Sequence, residues 1–523
     1  MSAPVVGVGP HGRRDRPAGL VDQPRGFDLL SLPGLRRFAR WRYARFALQL
    51  PLLLLALFVI VDGFTGRQVA PRNVATTAVW LHYRGLLVLG IAVLGNAFCA
   101  ACPLMLTRGL SRRLERLLPR KLAWPGALRN KWLVVVLLLA FFLAYEVFDL
   151  WASPWLTAWL ALGYFGAALA VDVLFPAGTF CRWVCPLGNF NFTLASASPT
   201  QITAVDPDVC RRCEHKPCLH GRYTAPQPQP PQGFALPLAG ANAGFVPAAE
   251  VVNPNGDGFF PGCETGLFVP TITSNMDCTL CLNCVRACPY DNVGLTVRAP
   301  GRELRMSPWA RRGRLAVVAM GVLLAFFGVI NALAMVPPFY DAAQRLSDLL
   351  GTRNEAVLLV TLYGGVTLVG LALTLAAATA ADALGGRREG ARAAFERWGY
   401  VVVALGFGFW AAHYTFHFLT GALSIVPVFQ HFFEYRGFAV DANWRLAQVV
   451  PSRYLFAIQA VISGAASALA LYTAARIGLR DFGRRGVLAM WPMFLFVLAF
   501  TAAQLVILSL PMEMRGTVLG PTY

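Results

Sequence analysis

The stretch CTLCLNCVRACP, residues 278–289, spaces four cysteines as C-x2-C-x2-C-x3-C-P. This spacing is typical of a bacterial ferredoxin site for a [4Fe–4S] cluster. The cysteines are too close together in the chain for ordinary disulfide geometry. Zinc is the alternative metal for these cysteines, but zinc sites usually pair two C-x2-C units across a longer gap. The stretch therefore predicts an electron-transfer cofactor, with zinc as the alternative.

A second group of cysteines lies upstream of this stretch, and its spacing is less regular. In two-cluster ferredoxins the fourth cysteine of each run ligates the other cluster. The sequence therefore predicts two [4Fe–4S] clusters, with ligands Cys210, Cys213, Cys218 and Cys288 for the first and Cys263, Cys278, Cys281 and Cys284 for the second. Residues 219–262 are rich in Pro, Gly, Ala and Asn, so we expect an inserted loop there.

The rest of the chain has the composition of a membrane protein. Hydrophobic residues make up 56% of it and charged residues only 14%, which is more apolar than a soluble domain. Because about 20 apolar residues cross a bilayer, we expect nine spans, near residues 44–62, 79–101, 132–152, 155–175, 315–337, 355–381, 398–421, 454–476 and 487–510. The predicted fold class is mainly α, a polytopic transmembrane helical bundle with an inserted cytoplasmic two-cluster ferredoxin-like domain.

Four domains follow from these patterns: a basic N-terminal tail (1–43), a four-helix membrane domain (44–199), the ferredoxin-like domain (200–300) and a five-helix membrane domain (301–523). Basic residues are concentrated in alternate loops, which the positive-inside rule assigns to the cytoplasm. We therefore expect a bacterial inner-membrane protein with a cytoplasmic N-terminus and ferredoxin domain and a periplasmic C-terminus. The net charge of +19 then reflects topology and anionic lipid rather than a nucleic-acid partner. No cleavable signal peptide is expected.

The four remaining cysteines form two pairs that each end in proline. Cys99 and Cys102 precede Pro103 at the end of the second predicted span, and Cys181 and Cys185 follow the fourth. Soft thiolates suit iron–sulfur, Cu(I) or zinc, so the pairs predict a third redox or metal site. They could also be dithiols that exchange electrons with a metal ion. Alternatively, the cysteines are small buried apolar residues and each proline simply ends a helix.

The layout GTFCRWVCPLGNFN, residues 178–191, together with the paired ferredoxin runs, resembles the NapH/NosR/CcoG-type membrane polyferredoxins and the related FesM-type membrane iron–sulfur proteins. The resemblance covers roughly residues 40–300 and carries over to all twelve cysteines. It implies electron transfer between the quinone pool and another redox protein, or copper reduction in some members. It says little about residues 315–523, where five further spans are expected.

Histidines mark a possible second site on the outer side of the bundle, namely His82, His413, His417 and His431. His413 and His417 share one helical face, so they cannot both bind one haem iron axially. A haem b would pair one of them with His82 or His431. There are three alternatives to haem. The histidines could belong to a quinone pocket that includes Arg84, or to a copper site with Met512 and Met514. They could also simply form hydrogen bonds between helices.

Arg84, Glu146 and Asp149 are ionisable residues within predicted spans, and such residues are functional candidates. Arg84 would pair with Glu146 or Asp149, or an acid would take up protons from quinol. The sequence thus favours a quinone-linked electron-transfer protein within a larger complex, acting as an oxidoreductase or as an electron-transfer subunit. There are two alternative functions. The protein could reduce copper or iron at the membrane cysteines, or it could help to mature a respiratory complex. No nucleotide-binding motif is evident.

Overall fold

The computed structural model of the protein describes residue 23 and residues 26–114, 122–213, 215–223, 259–306, 314–446 and 450–512. Most of the predicted inserted loop and Met514 lie outside these ranges. The chain divides into two compact units. The small unit comprises Met1–Arg42, Thr200–Thr273 and Leu282–Arg298, and the membrane unit comprises Tyr43–Pro199, Ser274–Cys281 and Ala299–Tyr523.

Long apolar helices build the membrane unit. Eight of them are long and apolar enough to cross a bilayer: Ala44–Thr65, Val74–Leu94, Pro154–Leu174, Leu315–Leu333, Glu355–Leu384, Ala391–Thr420, Leu455–Ala489 and Trp491–Ser509. Helices Leu315–Leu333 and Ala391–Thr420 are the most buried, and their side chains form the centre of the core. The chain is therefore a mainly helical membrane protein.

Two of the nine predicted spans differ from the helices found. The third is the helix Trp132–Val147, whose 16 residues fall short of the roughly 20 needed to cross a bilayer. The second is Val74–Leu94 and ends before the cysteines predicted at its end. Gly95, with φ of 67°, ends that helix in a conformation that glycine adopts without a Cβ clash. Cys99 therefore lies on a separate short helix, Ala97–Ala101.

Shorter elements complete the membrane unit. The segment Thr77–Tyr83, within Val74–Leu94, is π-helical, and a second π-helical turn spans Phe180–Val184. The π-helix is rare and is frequently found at functional sites. The other helices and turns of this unit are Ala70–Arg72, Pro103–Leu106, Thr107–Leu114, Gly126–Leu128, Pro186–Leu194, Ala195–Ala197, Arg302–Met306, Pro337–Leu350, Ile425–Glu434, Trp444–Leu446 and Ser452–Tyr454.

The small unit is built around two short antiparallel strand pairs. Strand β1 (Thr200–Ala204) pairs with β4 (Val293–Val297), and β2 (Arg222–Tyr223) pairs with β3 (Phe259–Phe260). Its helices and turns are Leu29–Ser31, Leu35–Arg40, Pro207–Arg212, Pro217–His220, Val269–Thr271 and Asn283–Ala287.

The described N-terminal residues belong to this small unit instead of forming a separate tail. Arg36 forms ion pairs with Asp28 at 2.8 Å and with Asp291 at 2.7 Å. The Gln23 amide donates to the backbone carbonyl of Val269 at 2.6 Å. The N-terminal segment therefore packs against the predicted ferredoxin-like region, where the sequence suggested only a basic tail.

Candidate functional site

One cavity of the small unit is lined by Cys210, Cys213, Cys218 and Cys288. Short helices position them: Cys210 lies on Pro207–Arg212, Cys213 caps that helix, Cys218 lies on Pro217–His220, and Cys288 caps Asn283–Ala287. Apolar side chains, including those of Phe268 and Val269, complete the lining. The four cysteines predicted for the first cluster are thus brought together, including Cys288 from the second run.

Burial and mutual proximity dominate the electrostatics of these thiols. Burial, followed by the nearby Cys218 thiol, raises the pKa of Cys210 to about 12. Burial likewise raises the pKa of Cys218 to about 11, and it raises that of Cys213. Desolvated thiolates that lie close together need a compensating positive charge, since both burial and like charge disfavour the anion. The donor set therefore suits a cationic metal group, whether iron–sulfur or zinc.

Asn292 holds two of these sulfur atoms in place. Its side-chain amide donates to Cys210 Sγ at 3.2 Å, and its backbone N–H donates to Cys288 Sγ at 3.4 Å. The same amide donates to the Asp206 carbonyl at 2.6 Å, which fixes its orientation. Hydrogen bonds to sulfur help to set the reduction potential of iron–sulfur clusters. Asn292 is a site residue that spacing rules for cysteine did not reveal.

The predicted second ligand set is divided between the two units. Cys263 and Cys284 lie in the small unit, and Cys278 and Cys281 lie in the membrane unit. Within the small unit, the Asn283 amide donates to the carbonyl of Gly262 at 3.3 Å, which places Cys263 beside the helix that carries Cys284. The backbone N–H of Leu267 donates to Cys263 Sγ at 3.2 Å. The assignment of this set to a second cluster stays a prediction.

Unusual backbone conformations are concentrated around the two cysteine runs. Among the described residues, six other than glycine have positive φ, and five of them flank these cysteines: Lys216, Asp277, Leu280, Leu282 and Asp291. Positive φ is a genuine outlier for a bulky residue such as leucine. Such conformations cluster at ligand clamps, where the surroundings hold them in place. The strained turns are therefore consistent with loops that wrap around a bound group.

Among the described residues, no three His, Cys, Asp or Glu side chains are arranged to hold one metal ion. The first cysteine set instead surrounds a cavity. The choice between a [4Fe–4S] cluster and zinc at these cysteines stays a prediction.

A cavity of about 240 Å³ in the membrane unit is lined by all four remaining cysteines, Cys99, Cys102, Cys181 and Cys185. The lining is otherwise mostly apolar and aromatic, with contributions from helices Ala44–Thr65, Val74–Leu94, Trp132–Val147 and Pro154–Leu174. We call it the cysteine cavity. The matching positions of the two C-P motifs thus bring both pairs to one place.

Each pair is held by its own turn. Cys185 caps the helix Pro186–Leu194, and its Sγ accepts a hydrogen bond from the Gly188 N–H at 3.2 Å. Cys181 lies on the π-helical turn, with its Sγ 3.4 Å from Met105 Sδ. The Asn191 amide donates to Cys99 Sγ at 3.5 Å. The prolines therefore begin helices that present the cysteines, and do more than end the preceding spans.

Two polar atoms in the lining of the cysteine cavity are buried without a hydrogen-bond partner. They are the hydroxyl oxygen of Tyr83 and Oδ1 of Asn191. Leaving a buried polar group unsatisfied costs about 1–3 kcal/mol. A ligand that accepts from the Tyr83 hydroxyl or donates to the Asn191 oxygen would remove this cost. The cavity is therefore suited to an apolar ligand with a few polar groups.

One segment of the second cysteine run belongs to the wall of this cavity. Thr279, which lies between Cys278 and Cys281, lines the cysteine cavity. The Asn96 amide donates to the carbonyls of Asn275 and Cys278, at 3.3 and 2.7 Å. The segment Ser274–Cys281 is therefore packed into the membrane unit by specific hydrogen bonds.

A buried ion pair also holds this segment. Lys131 Nζ lies 2.5 Å from Asp277, and Arg182 Nε lies 3.2 Å from the other oxygen of that carboxylate. Lys131 also donates to the Asn189 side chain at 2.7 Å and to the Arg182 carbonyl at 2.6 Å. Because Asn189 and Arg182 flank Cys185, Lys131 links the second cysteine run to the C-P motif of Cys185. Nothing in the local sequence around Lys131 indicates this role.

We expect Lys131→Met to lower the free energy of unfolding by about 3 kcal/mol, because removing one partner of a buried pair strands the other charge. Arg182 remains beside Asp277, which limits the loss. The measurement is thermal or denaturant unfolding in detergent. The control is Arg392→Met, which breaks an exposed pair with Glu396 and should cost at most about 1 kcal/mol. Equal losses in the two variants would contradict this account.

Arg84 lines the cysteine cavity. Its guanidinium donates to the Tyr145 hydroxyl at 3.0 Å and stacks over the rings of Trp80, Tyr145 and Tyr414, at 4.5, 4.3 and 5.4 Å. The sequence suggested a pair with Glu146 or Asp149, and Arg84 does interact electrostatically with Glu146, while its hydrogen bond and ring contacts are to aromatic residues. Cation–π contacts of this kind stabilise a desolvated cation.

A second cavity, of about 330 Å³, shares Arg84 and Trp80 with the cysteine cavity. It is lined by Arg84, Tyr145, Glu146, Asn331 and His417, among others. Glu146 is 3% exposed, and one of its oxygens accepts from the Asn331 amide at 3.1 Å. Oδ1 of Asn331 has no hydrogen-bond partner. We call this the glutamate cavity.

The four candidate histidines lie in three separate environments. The ring nitrogens of His82 lie 3.0 and 3.2 Å from the carbonyls of Thr77 and Ala422. His413 and His417 face each other, with Nε2 atoms 3.3 Å apart, and His431 contacts Glu434 at 3.2 Å. Of the four, His417 alone lines one of the two membrane cavities described above. The haem, copper and quinone roles of these histidines stay predictions.

Comparison with known proteins identifies no relative. No family model, no curated protein and no solved structure matches the chain.

Proposed function

We propose that the protein is a membrane-bound iron–sulfur electron carrier that exchanges electrons between a quinone and a redox protein. The proposal rests on the position of Thr279. This residue lies between two predicted cluster ligands, and it lines the same cavity as the four membrane cysteines. A ligand in that cavity would lie next to the segment of a cluster-binding run. Two [4Fe–4S] clusters, each taking one electron, match the two electrons of a quinol.

The lining of the cysteine cavity supports a quinone as the ligand. Ligand sites are typically apolar, with a few polar groups that fix orientation. The Tyr83 hydroxyl can donate to a quinone carbonyl, and Oδ1 of Asn191 can accept from a quinol hydroxyl. Both atoms are buried and unpartnered. The two residues thus offer one partner for each redox state of the same ligand.

The membrane cysteines are proposed as the relay between the quinone and the clusters. Quinol reduces a disulfide between two of them to a dithiol. The dithiol is then reoxidised as it passes one electron to each of the two clusters, so that its two protons are released again. They line the cavity together with Tyr83 and Asn191, and Lys131 joins the turn of Cys185 to Asp277 beside Cys278. The cluster cofactors would supply one-electron chemistry when bound. The protein's own residues hold the quinone, exclude water and fix the segment that leads to the clusters.

The proposal also includes the orientation of the protein in the membrane and the family to which it belongs. Basic residues in alternate loops support a cytoplasmic N-terminus and cluster domain by the positive-inside rule. The C-P motifs support membership of the membrane polyferredoxin group described above. A cytoplasmic redox protein, or another subunit of an electron-transfer complex, is then the partner of the clusters.

We expect Tyr83→Phe to raise the KM for quinone about tenfold, since its hydroxyl is the proposed donor to the quinone carbonyl and one hydrogen bond is worth about 1 kcal/mol or slightly more. The measurement is the rate at which a short-chain ubiquinone oxidises the reduced clusters in purified protein, followed by their visible absorbance. Tyr472→Phe is the control, because that tyrosine is exposed and outside both cavities. A KM that does not change in Tyr83→Phe would remove this residue from the site.

Copper reduction at the membrane cysteines is the second candidate. The 3.4 Å contact between Cys181 Sγ and Met105 Sδ adds a thioether to four thiols, and soft sulfur ligands select Cu(I). Copper analysis of the purified protein separates the two candidates, because the quinone proposal requires iron and no copper.

A further inference from the structure

The two membrane cavities overlap around Arg84 and reach furthest at different ends of the helices that line them. Along Val74–Leu94 the linings overlap between Ala78 and Arg84, whereas Thr77 lines only the glutamate cavity and Leu87 only the cysteine cavity. Along Trp132–Val147 the order is reversed, with Leu138 in the cysteine cavity and Glu146 in the glutamate cavity. The two helices run in opposite directions, so each cavity reaches beyond the overlap at its own end of the pair.

Arg84 and Trp80 belong to both linings. Arg84 is 9% exposed and is fixed by the Tyr145 hydroxyl and by three aromatic rings. It therefore forms the partition between the cavities. A fixed cation at a partition attracts a developing anion from one side and a carboxylate from the other.

The glutamate cavity contains groups that can accept, hold and release a proton. Glu146 is buried, keeps one hydrogen bond from Asn331, and neighbours Tyr145 in the chain. His417 lines the same cavity and contacts His413 at 3.3 Å. The volume of about 330 Å³ has room for several waters, since one water needs only about 10–15 Å³ of such space. Buried ionisable residues of this kind mark proton relays in membrane proteins.

We propose that Glu146 exchanges protons with the quinone site through water and the Tyr145 hydroxyl, which Arg84 holds by a hydrogen bond without giving up its own proton, and that these protons leave or enter at the end of the bundle opposite to the cysteines. The inference rests on the proposed quinone function. One quinol loses two electrons towards the cysteine end, one to each cluster, and two protons towards the glutamate end, leaving quinone. The reverse reaction takes two protons from the same side. Electron transfer is thereby coupled to charge movement across the membrane.

The first test uses Glu146→Gln, with Glu355→Gln as the control. Glu355 begins the helix Glu355–Leu384 and lies outside both cavities. We expect Glu146→Gln to slow cluster reduction by ubiquinol about a hundredfold, within the range for a lost general acid or base, and Glu355→Gln to leave it unchanged. Reduction by dithionite verifies that both variants retain their clusters, and Glu146→Asp should restore much of the rate. Asn331→Leu, which removes the hydrogen bond to Glu146, gives a second variant and should also slow the reaction.

The second test places the wild-type protein in proteoliposomes with its cluster unit outside. Ubiquinol is the donor, external ferricyanide is the acceptor, and a trapped dye reports internal pH. We expect the interior to acidify as ferricyanide is reduced. An interior that stays neutral during reduction, or an unchanged rate in Glu146→Gln, would overturn the inference and leave the quinone function standing. Failure of the wild-type protein to oxidise ubiquinol at all would overturn both.

Discussion

Cys288→Ser is expected to remove the same cluster as Cys210→Ser, and not the cluster bound by the run in which Cys288 lies. The reason is that Cys288 lines one cavity with Cys210, Cys213 and Cys218. Iron should fall from about eight atoms per chain to about four in either variant. The two variants should also share the EPR signal of the remaining cluster.

Double variants test whether two cysteines bind the same cluster or different clusters. Cys210→Ser with Cys288→Ser should still hold about four irons, because both cysteines serve one cluster. Cys210→Ser with Cys278→Ser should hold almost none. If Cys288→Ser and Cys278→Ser instead lost the same EPR signal, the crossed ligation would be wrong and each run would bind its own cluster.

The second large effect is expected from Cys102→Ser combined with Cys185→Ser. Both cysteines line the cysteine cavity, and serine cannot act in a thiol relay. We expect quinol-dependent reduction of the clusters to slow about a hundredfold, equivalent to about 2.7 kcal/mol of activation free energy. Iron content and reduction by dithionite should remain as in the wild-type protein, because the cluster ligands are unchanged.

A matched control is Ser467→Ala with Thr501→Ala, which removes a hydrogen-bonded pair of hydroxyls elsewhere in the bundle. That double variant should transfer electrons normally. If the cysteine variant also reduced its clusters at the normal rate, the membrane cysteines would have no part in the path. Loss of bound copper from the cysteine variant would instead favour the metal-reducing function.

Some features of this molecule followed from sequence because they depend on local pattern. Eight of the nine predicted spans coincide with helices long and apolar enough to cross a membrane, because apolar length alone predicts such helices. The grouping of Cys288 with the upstream run followed from the rule that adjacent cysteine runs exchange their fourth ligand. The matching C-P motifs also indicated that Cys102 and Cys185 lie close together, as their shared cavity shows.

Other features depend on contacts that spacing does not encode. The helix after Lys131 ends at Val147, short of the predicted span, although its composition is apolar. The pair of Lys131 with Asp277 joins residues 146 positions apart, and neither residue stands out in its own segment. Arg84 interacts with Glu146, as charge suggested, but its contacts with Tyr145 and the neighbouring aromatic rings could not be read from spacing. Tyr83 and Asn191 became candidates only through their unpartnered atoms in a shared cavity.

The most direct measurement is EPR spectroscopy of the purified protein mixed with ubiquinol or, after reduction by dithionite, with ubiquinone. We expect one of these additions to change the reduced-cluster signal, and Cys102→Ser with Cys185→Ser to prevent the change. We also expect about eight irons per chain in the same sample. If both clusters are filled and the EPR signal responds to neither addition, the protein does not exchange electrons with quinone.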